Sequence, residues 1–219
     1  GTLWFDSAAT LKVASQRLVD DQIVRGIYSL ENSTWVWTGD DRNHSGIMQP
    51  FGSVFQDPNK TDVLLAEILT GANAFVRSFD RGNTWKSMNF FGVTQVFTGI
   101  SPAATCLGDP VRPGVYYMAT HEIRRSVDFG ESWENISPVT SSSALGEKAG
   151  GLVLGPGSGE LVTVFRDSVW ESNDDGVSWR VIGRVDPGAT VMSLTRHRTR
   201  PGKLIAATLN GAFISIDHG

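Results

Sequence analysis

Short apolar runs recur along this chain, each bounded by stretches rich in Gly, Pro, Asp and Asn. V-L-L-A-E-I at 63–68, V-Y-Y-M-A at 115–119, L-V-T-V-F at 161–165 and K-L-I-A-A-T at 203–208 have the length of strands, not of helices. Each follows another apolar run across a turn full of breakers: 52–56 before D-P-N-K-T-D, 103–107 before G-D-P-V-R-P-G, 151–154 before G-P-G-S-G, and 191–195 before R-H-R-T-R-P-G. A third run follows each, at 75–78, 123–126, 169–172 and 212–215. At the start of the chain, 3–7, 11–15, 23–29 and 34–38 read as strands. The pattern predicts an all-β chain built from repeated antiparallel units.

The third run of each unit ends in one motif. It reads S-F-D-R-G-N-T-W at 78–85, S-V-D-F-G-E-S-W at 126–133 and S-N-D-D-G-V-S-W at 172–179, with S-I-D-H-G at 215–219 and a shortened S-L-E-N-S-T-W at 29–35. The copies start at 29, 78, 126, 172 and 215, in steps of 49, 48, 46 and 43 residues. Such a period marks stacked supersecondary units. The chemistry is that of a tight turn. Asp80, Asp128, Asp174 and Asp217, each two residues after Ser78, Ser126, Ser172 or Ser215, can accept backbone N–H groups of the loop. Gly82, Gly130, Gly176 and Gly219 supply positive φ. Trp85, Trp133 and Trp179 then open the next strand and can fill the space between units.

These residues resemble the Asp-box (BNR repeat), S-x-D-x-G-x-[TS]-W, of sialidases, xyloglucanases and the sortilin family. The resemblance implies a β-propeller of four-stranded antiparallel blades, with the box joining the third and fourth strands at the periphery, away from any ligand. It assigns the box residues a structural role and no catalytic one. The expectation is a single domain, 1–219, of five blades near 1–40, 41–90, 91–137, 138–184 and 185–219. Residues 3–7 are expected to close the ring as the outer strand of the fifth blade, because S-I-D-H-G followed by G-T-L-W nearly rebuilds a box. The alternative is a piece of a longer propeller. A calcium loop would need further oxygen ligands downstream of the box aspartates, and none are in place. No metal and no cofactor is expected.

G-I-Y-S-L-E-N-S-T-W at 26–35 and D-P-N-K-T-D-V-L-L-A-E-I-L at 57–69 look like the opening of xyloglucanase-type propellers, although Ile23 stands where that family has an acid. Sialidase chemistry asks for three arginines, a tyrosine nucleophile and an F-R-I-P-type strand. That strand is missing, Tyr28, Tyr116 and Tyr117 fall in predicted strands, and only Arg42 and Arg166 fall in loops of the right face.

Composition changes the picture little. In 219 residues there are 24 Gly and 7 Trp, with 19% charged residues, which suits a turn-rich β protein. A net charge of −4 offers no field to recruit nucleic acid. No apolar run approaches a membrane span. Cys106 is alone, which rules out an intrachain disulfide framework. Four N-x-[ST] triplets, at Asn32, Asn43, Asn59 and Asn135, fall in stretches read as turns or loops and point to a secreted glycoprotein.

Function is expected on the face opposite the boxes, where the second-to-third and inter-blade connections lie. Asp40, Asp41 and Glu122 are the candidate catalytic carboxylates. Glycoside hydrolysis needs two of them about 5–10 Å apart. Trp37, Phe90 and Phe91 offer faces for a sugar ring, with Asp41, His44, His121 and Arg166 as polar partners. Trp35 and Trp37 share one side of a strand, so at least one of them belongs between blades. Arg196, His197, Arg198, Arg200 and Lys203 form a basic cluster that reads as a solvated turn. Two functions stand: a lectin-like or protein-binding module without covalent chemistry, whose ligand is a glycan or a protein, and a glycoside hydrolase or lyase of the xyloglucanase-like kind.

Overall fold

The computed structural model describes residues 3–5, 10–19, 22–40, 51–68, 74–82, 84–88, 105–119, 122–138, 149–165, 167–186, 191–197, 199–200 and 202–217. Among them every regular element is a strand, and the strands form five antiparallel sheets. The first contains β1 (Leu3–Phe5), β2 (Leu11–Val19), β3 (Gln22–Glu31) and β4 (Thr34–Asp40). The second contains β5 (Phe51–Gln56), β6 (Leu64–Ile68), β7 (Ala74–Ser78) and β8 (Lys86–Ser87). The third contains β9 (Thr105–Gly108), β10 (Tyr116–Ala119), β11 (Ile123–Ser126) and β12 (Glu134–Asn135). The fourth contains β13 (Ala149–Leu154), β14 (Leu161–Phe165), β15 (Ser168–Ser172) and β16 (Arg180–Arg184). The fifth holds three strands, β17 (Val191–Arg196), β18 (Leu204–Thr208) and β19 (Gly211–Ser215). Strand order within each sheet follows the chain, as short connections dictate.

The chain divides into two compact units. One is Gly1–Ala103 with Asp128–Ser132, and the other is Ala104–Val127 with Trp133–Gly219. The core of the first joins Ile27 of the first sheet to Val54, Leu64, Ala66, Val76 and Trp85 of the second. The other unit has two such layers. Tyr117, Ala119 and Ile123 pack with Leu152, Leu161 and Phe165 between the third and fourth sheets. Val162, Val164 and Val169 pack with Val191, Leu194, Leu204 and Ala206 between the fourth and fifth. β14 is buried along its whole length because it serves both layers, Leu161 and Phe165 on one side and Val162 and Val164 on the other. Successive side chains point to opposite faces, so a strand covered on both sides reads as an unbroken apolar run. Thr163 joins that run by donating its hydroxyl to the Gly151 carbonyl at 2.7 Å.

The first sheet departs from the sequence reading in three ways. Leu3, Trp4 and Phe5 pair with Val13, Lys12 and Leu11, so this strand belongs to the first sheet and does not clasp the fifth. The nearby partner wins because closing a short loop costs less entropy than joining the ends of the chain. β2 runs on past Ser15 to Val19, which pairs with Gln22; the polar stretch Ser15-Gln16-Arg17 carries no apolar alternation to announce it. The shortened motif at 29–35 is not a box turn. Glu31 pairs with Thr34 across a two-residue hairpin whose Asn32 and Ser33 sit at φ +48° and +64°, as a type I′ turn requires. Trp35 is 42% exposed there and is no core residue.

Candidate functional site

The box turns are made alike in the second and fourth sheets. Ser78 and Ser172 are almost fully buried. Each hydroxyl donates to the box aspartate, Asp80 at 2.7 Å and Asp174 at 2.8 Å, and accepts the box glycine N–H, Gly82 at 2.7 Å and Gly176 at 2.8 Å. The carboxylate then takes the N–H and hydroxyl of the residue four further on, Thr84 or Ser178. Asp128 binds Ser132 in the same way in the third sheet. These bonds, the Ser178 hydroxyl foremost, hold the Asp174 carboxyl below its usual range. The tryptophan indoles of Trp85 and Trp179 donate to the carbonyls of Gly82 and Gly176 at 3.0 Å. The fifth sheet shows the start of the pattern, Ser215 to Asp217 at 2.9 Å.

A second anchor, unread in the sequence, stands at the turn between first and second strands. Asp57 and Asp109 are fully buried. Asp57 accepts the N–H groups of Asn59 and Lys60, and Asp109 those of Val111 and Arg112, at 2.7–2.9 Å. Each is followed by proline, which fixes φ at the first turn position. The repeated D-P was the signal that could have found them.

Around Asp109 the turns of the third and fourth sheets share one polar cluster. Asp109 also accepts Arg112 and the Ser158 hydroxyl. Arg112 bridges to Asp175, with Nη1 to Oδ2 at 2.9 Å, and Tyr117 donates its hydroxyl to Asp175 at 2.6 Å. Arg125 stands 3.3 Å from the same carboxylate. Burial works to raise the Asp109 carboxyl, but Arg112, the turn N–H groups and Ser158 outweigh it and hold it at about 2. Arg112 lowers Asp175 in the same sense, with Tyr117 helping. Burial first and Asp175 second push the Tyr117 phenol up. The cluster keeps its acids ionised and its phenol protonated, which is the electrostatics of a structural clamp.

The residue just before the box serine makes a recurring junction. Arg77 donates to the Phe129 carbonyl at 2.9 Å and pairs with Glu131, while Arg125 reaches Asp175. Phe129 and Asp175 hold the same place in their boxes, at φ +60° and +65°.

Neither a family model nor a curated protein sequence matches this chain. Among solved structures, a GH74 enzyme of Niastella koreensis superposes with a TM-score of 0.62 at 15% identity, over 95% of this chain and 33% of its own. The GH74 xyloglucanase of Xanthomonas campestris gives 0.58 at 14%, over 99% and 44%. The extracellular domain of BT4673 from B. thetaiotaomicron gives 0.59 at 11%, over 91% and 27%. The chain is a β-propeller. It spans between a quarter and under a half of the length of these three neighbours.

In the second and third sheets the box and the D-P turn lie at one end, and the turn between second and third strands at the other. Of the expected site residues on that other end, Trp37 and Asp40 lie in β4, at its C-terminal half. Glu122 directly precedes β11 and is held by Arg124 at 2.5 Å. Asp41, His44, Phe90, Phe91, His121 and Arg166 lie outside the described residues, as do Asn43 and Gly219. Asn32 and Asn59 are exposed in turns, whereas Asn135 is exposed within β12 rather than in a loop. Its Oδ1 accepts the Ser137 N–H at 2.9 Å. Burial pushes the Cys106 thiol up to about 12, far from a nucleophile's range. Among the described residues no cluster of His, Cys, Asp or Glu is placed to hold a metal ion, and no helix is long and apolar enough to cross a membrane.

Proposed function

We propose that this propeller is an extracellular binding module, one domain over 1–219, that takes a glycan or a protein on the face opposite the boxes and performs no covalent chemistry. The observation that carries this reading is the state of its carboxylates. Asp109 and Asp175 are locked by arginines well below the range of a general acid, and Glu122 is engaged by Arg124. The box turns of the second to fourth sheets, with the D-P turns of the second and third, stiffen one end of those sheets and leave the other end for recognition. Trp37, Phe90 and Phe91 are the proposed stacking groups, with Asp41, His44, His121 and Arg166 beside them. The BT4673 neighbour is an extracellular domain, and the exposed triplets at Asn32, Asn59 and Asn135 agree with secretion.

A glycan array and an affinity pull-down with the full chain test the reading. Saturable binding that Trp37→Ala abolishes is the expected result. Silence in both assays, together with turnover of a polysaccharide, overturns it.

The GH74 neighbours favour a second reading, a glycoside hydrolase with Asp40, Asp41 or Glu122 as its acids. Hydrolysis of a β-glucan that Asp40→Ala or Asp41→Ala removes would establish it.

A further inference from the structure

We propose that a cavity at the first strands of the third, fourth and fifth sheets binds a small organic monocarboxylate, gripped by Arg196. The cavity holds about 430 Å³, the size of a small-molecule site. Leu107 of β9, Leu152 and Leu154 of β13, and Met192 and Leu194 of β17 give it apolar walls. It forms where β13 and β17 approach closely. Gly151 sits at φ +131° in a bulge of β13, and a Cβ there would meet the Leu194 nitrogen at 2.8 Å. None of the lining residues is among those proposed for the recognition face, and the inference does not rest on that reading.

Arg196 is the reason to expect an anion. The sequence places it in a basic turn, yet it is half-buried and lines the cavity. Its Nε is shut off from water with no acceptor, and among the described residues the side chain makes no ion pair. Gly155 leaves room for two side chains: an added Cβ would collide first with Glu160 and then, at 2.8 Å, with one terminal nitrogen of Arg196. Burial pushes Arg196 below the usual arginine range, against the pull of Glu160 and Glu171. A half-buried cation whose shielded Nε lacks an acceptor gains most from a planar acid that can bridge Nε and a terminal nitrogen. The two nearby glutamates make a dianion a poor guest, which narrows the ligand to one negative charge. The apolar walls and the exposed Ser193 and Thr195 suit a short body, aliphatic or hydroxylated.

The test is a titration of the full chain followed by ligand-detected NMR, with hexanoate and glucuronate as probes and hexanol and glucose as uncharged counterparts. Saturable binding of at least one acid is expected, with its neutral counterpart about tenfold weaker or worse. The acid that binds tells an aliphatic from a sugar-derived ligand. Arg196→Met should weaken binding by about tenfold or more without lowering the melting temperature, since it removes a poorly paired buried cation. Met192→Trp, at an exposed position of the wall, should block binding by filling the space, and it decides the matter if the arginine variant fails to fold. No saturable binding of either acid, equal binding of the neutral counterpart, or binding that survives either substitution in a folded protein overturns the proposal.

Discussion

The hydroxyl of Tyr117 lies 2.6 Å from a carboxylate oxygen of Asp175 and donates to it, joining the second strand of one sheet to the box turn of the next. Arg112 and Arg125 converge on the same carboxylate. Asp175→Asn keeps a residue that tolerates the left-handed backbone and removes only the charge. We expect it to lower stability by about 1–3 kcal/mol, because Arg112 and Arg125 lose the anion they share and keep only Asp109 and Glu134 respectively. Tyr117→Phe should cost about 1 kcal/mol. Urea unfolding of both variants and the double variant should show strong non-additivity, as expected for partners in one network.

Gly176 meets two constraints at once. Its φ is +84°, and an added Cβ would fall 2.6 Å from Cδ1 of Ile136. Gly176→Ala should therefore cost more than about 2 kcal/mol, backbone strain and overpacking together. Gly211 has φ +138° with nothing within 4 Å of the added carbon. Gly211→Ala should pay for the backbone alone, and the difference in melting temperature between the two variants reads the clash.

Acid should attack the Asp109 cluster in a defined window. The carboxyl titrates near 3.8 when unfolded and at about 2 in the fold. A depressed folded value means that stability is present above the unfolded pKa and is lost as pH falls through the folded one. About 2 kcal/mol should disappear between roughly pH 4 and 2. Asp109→Asn should lower stability at neutral pH and flatten the acid limb of a stability–pH curve; an unchanged slope there would contradict the assignment.

The box serines should differ in weight. Ser172 is 2% exposed and holds the Gly176 N–H, so Ser172→Ala should cost about 1–3 kcal/mol through the orphaned donor. Among the described residues the Ser215 hydroxyl is bonded only to Asp217, and Ser215→Ala should stay within about 0.5 kcal/mol. Thermal unfolding of the pair checks the contrast.

What could be read from the sequence followed from how local its cause was. The strands at 123–126 and 161–165 stand where the repeat of short runs between turns puts them, and the box turns form because their donors and acceptors lie within eight residues of chain. Contacts set by packing left little local trace. Asp175 fills a variable position of its motif, and nothing nearby in the sequence names Arg112, 63 residues earlier, as its partner. Arg196 reads as one more charge in a basic turn until β13 comes to lie beside β17. The strand at 3–5 misled for a related reason: its match to the end of the chain was a motif likeness, while its actual partner, 11–13, lay close by.

The arginine before two of the box serines, Ser78 and Ser126, has a consequence for how such an array can grow. Arg77 grips the backbone of Phe129, and Arg125 grips Asp175, from equivalent places onto equivalent places. The third repeat thus carries both the plug of its own junction, Arg125, and the socket for its neighbour's, at Phe129. A tandem gene duplication of that unit would insert both halves together, and the lengthened array would need no newly evolved arginine contact at either seam.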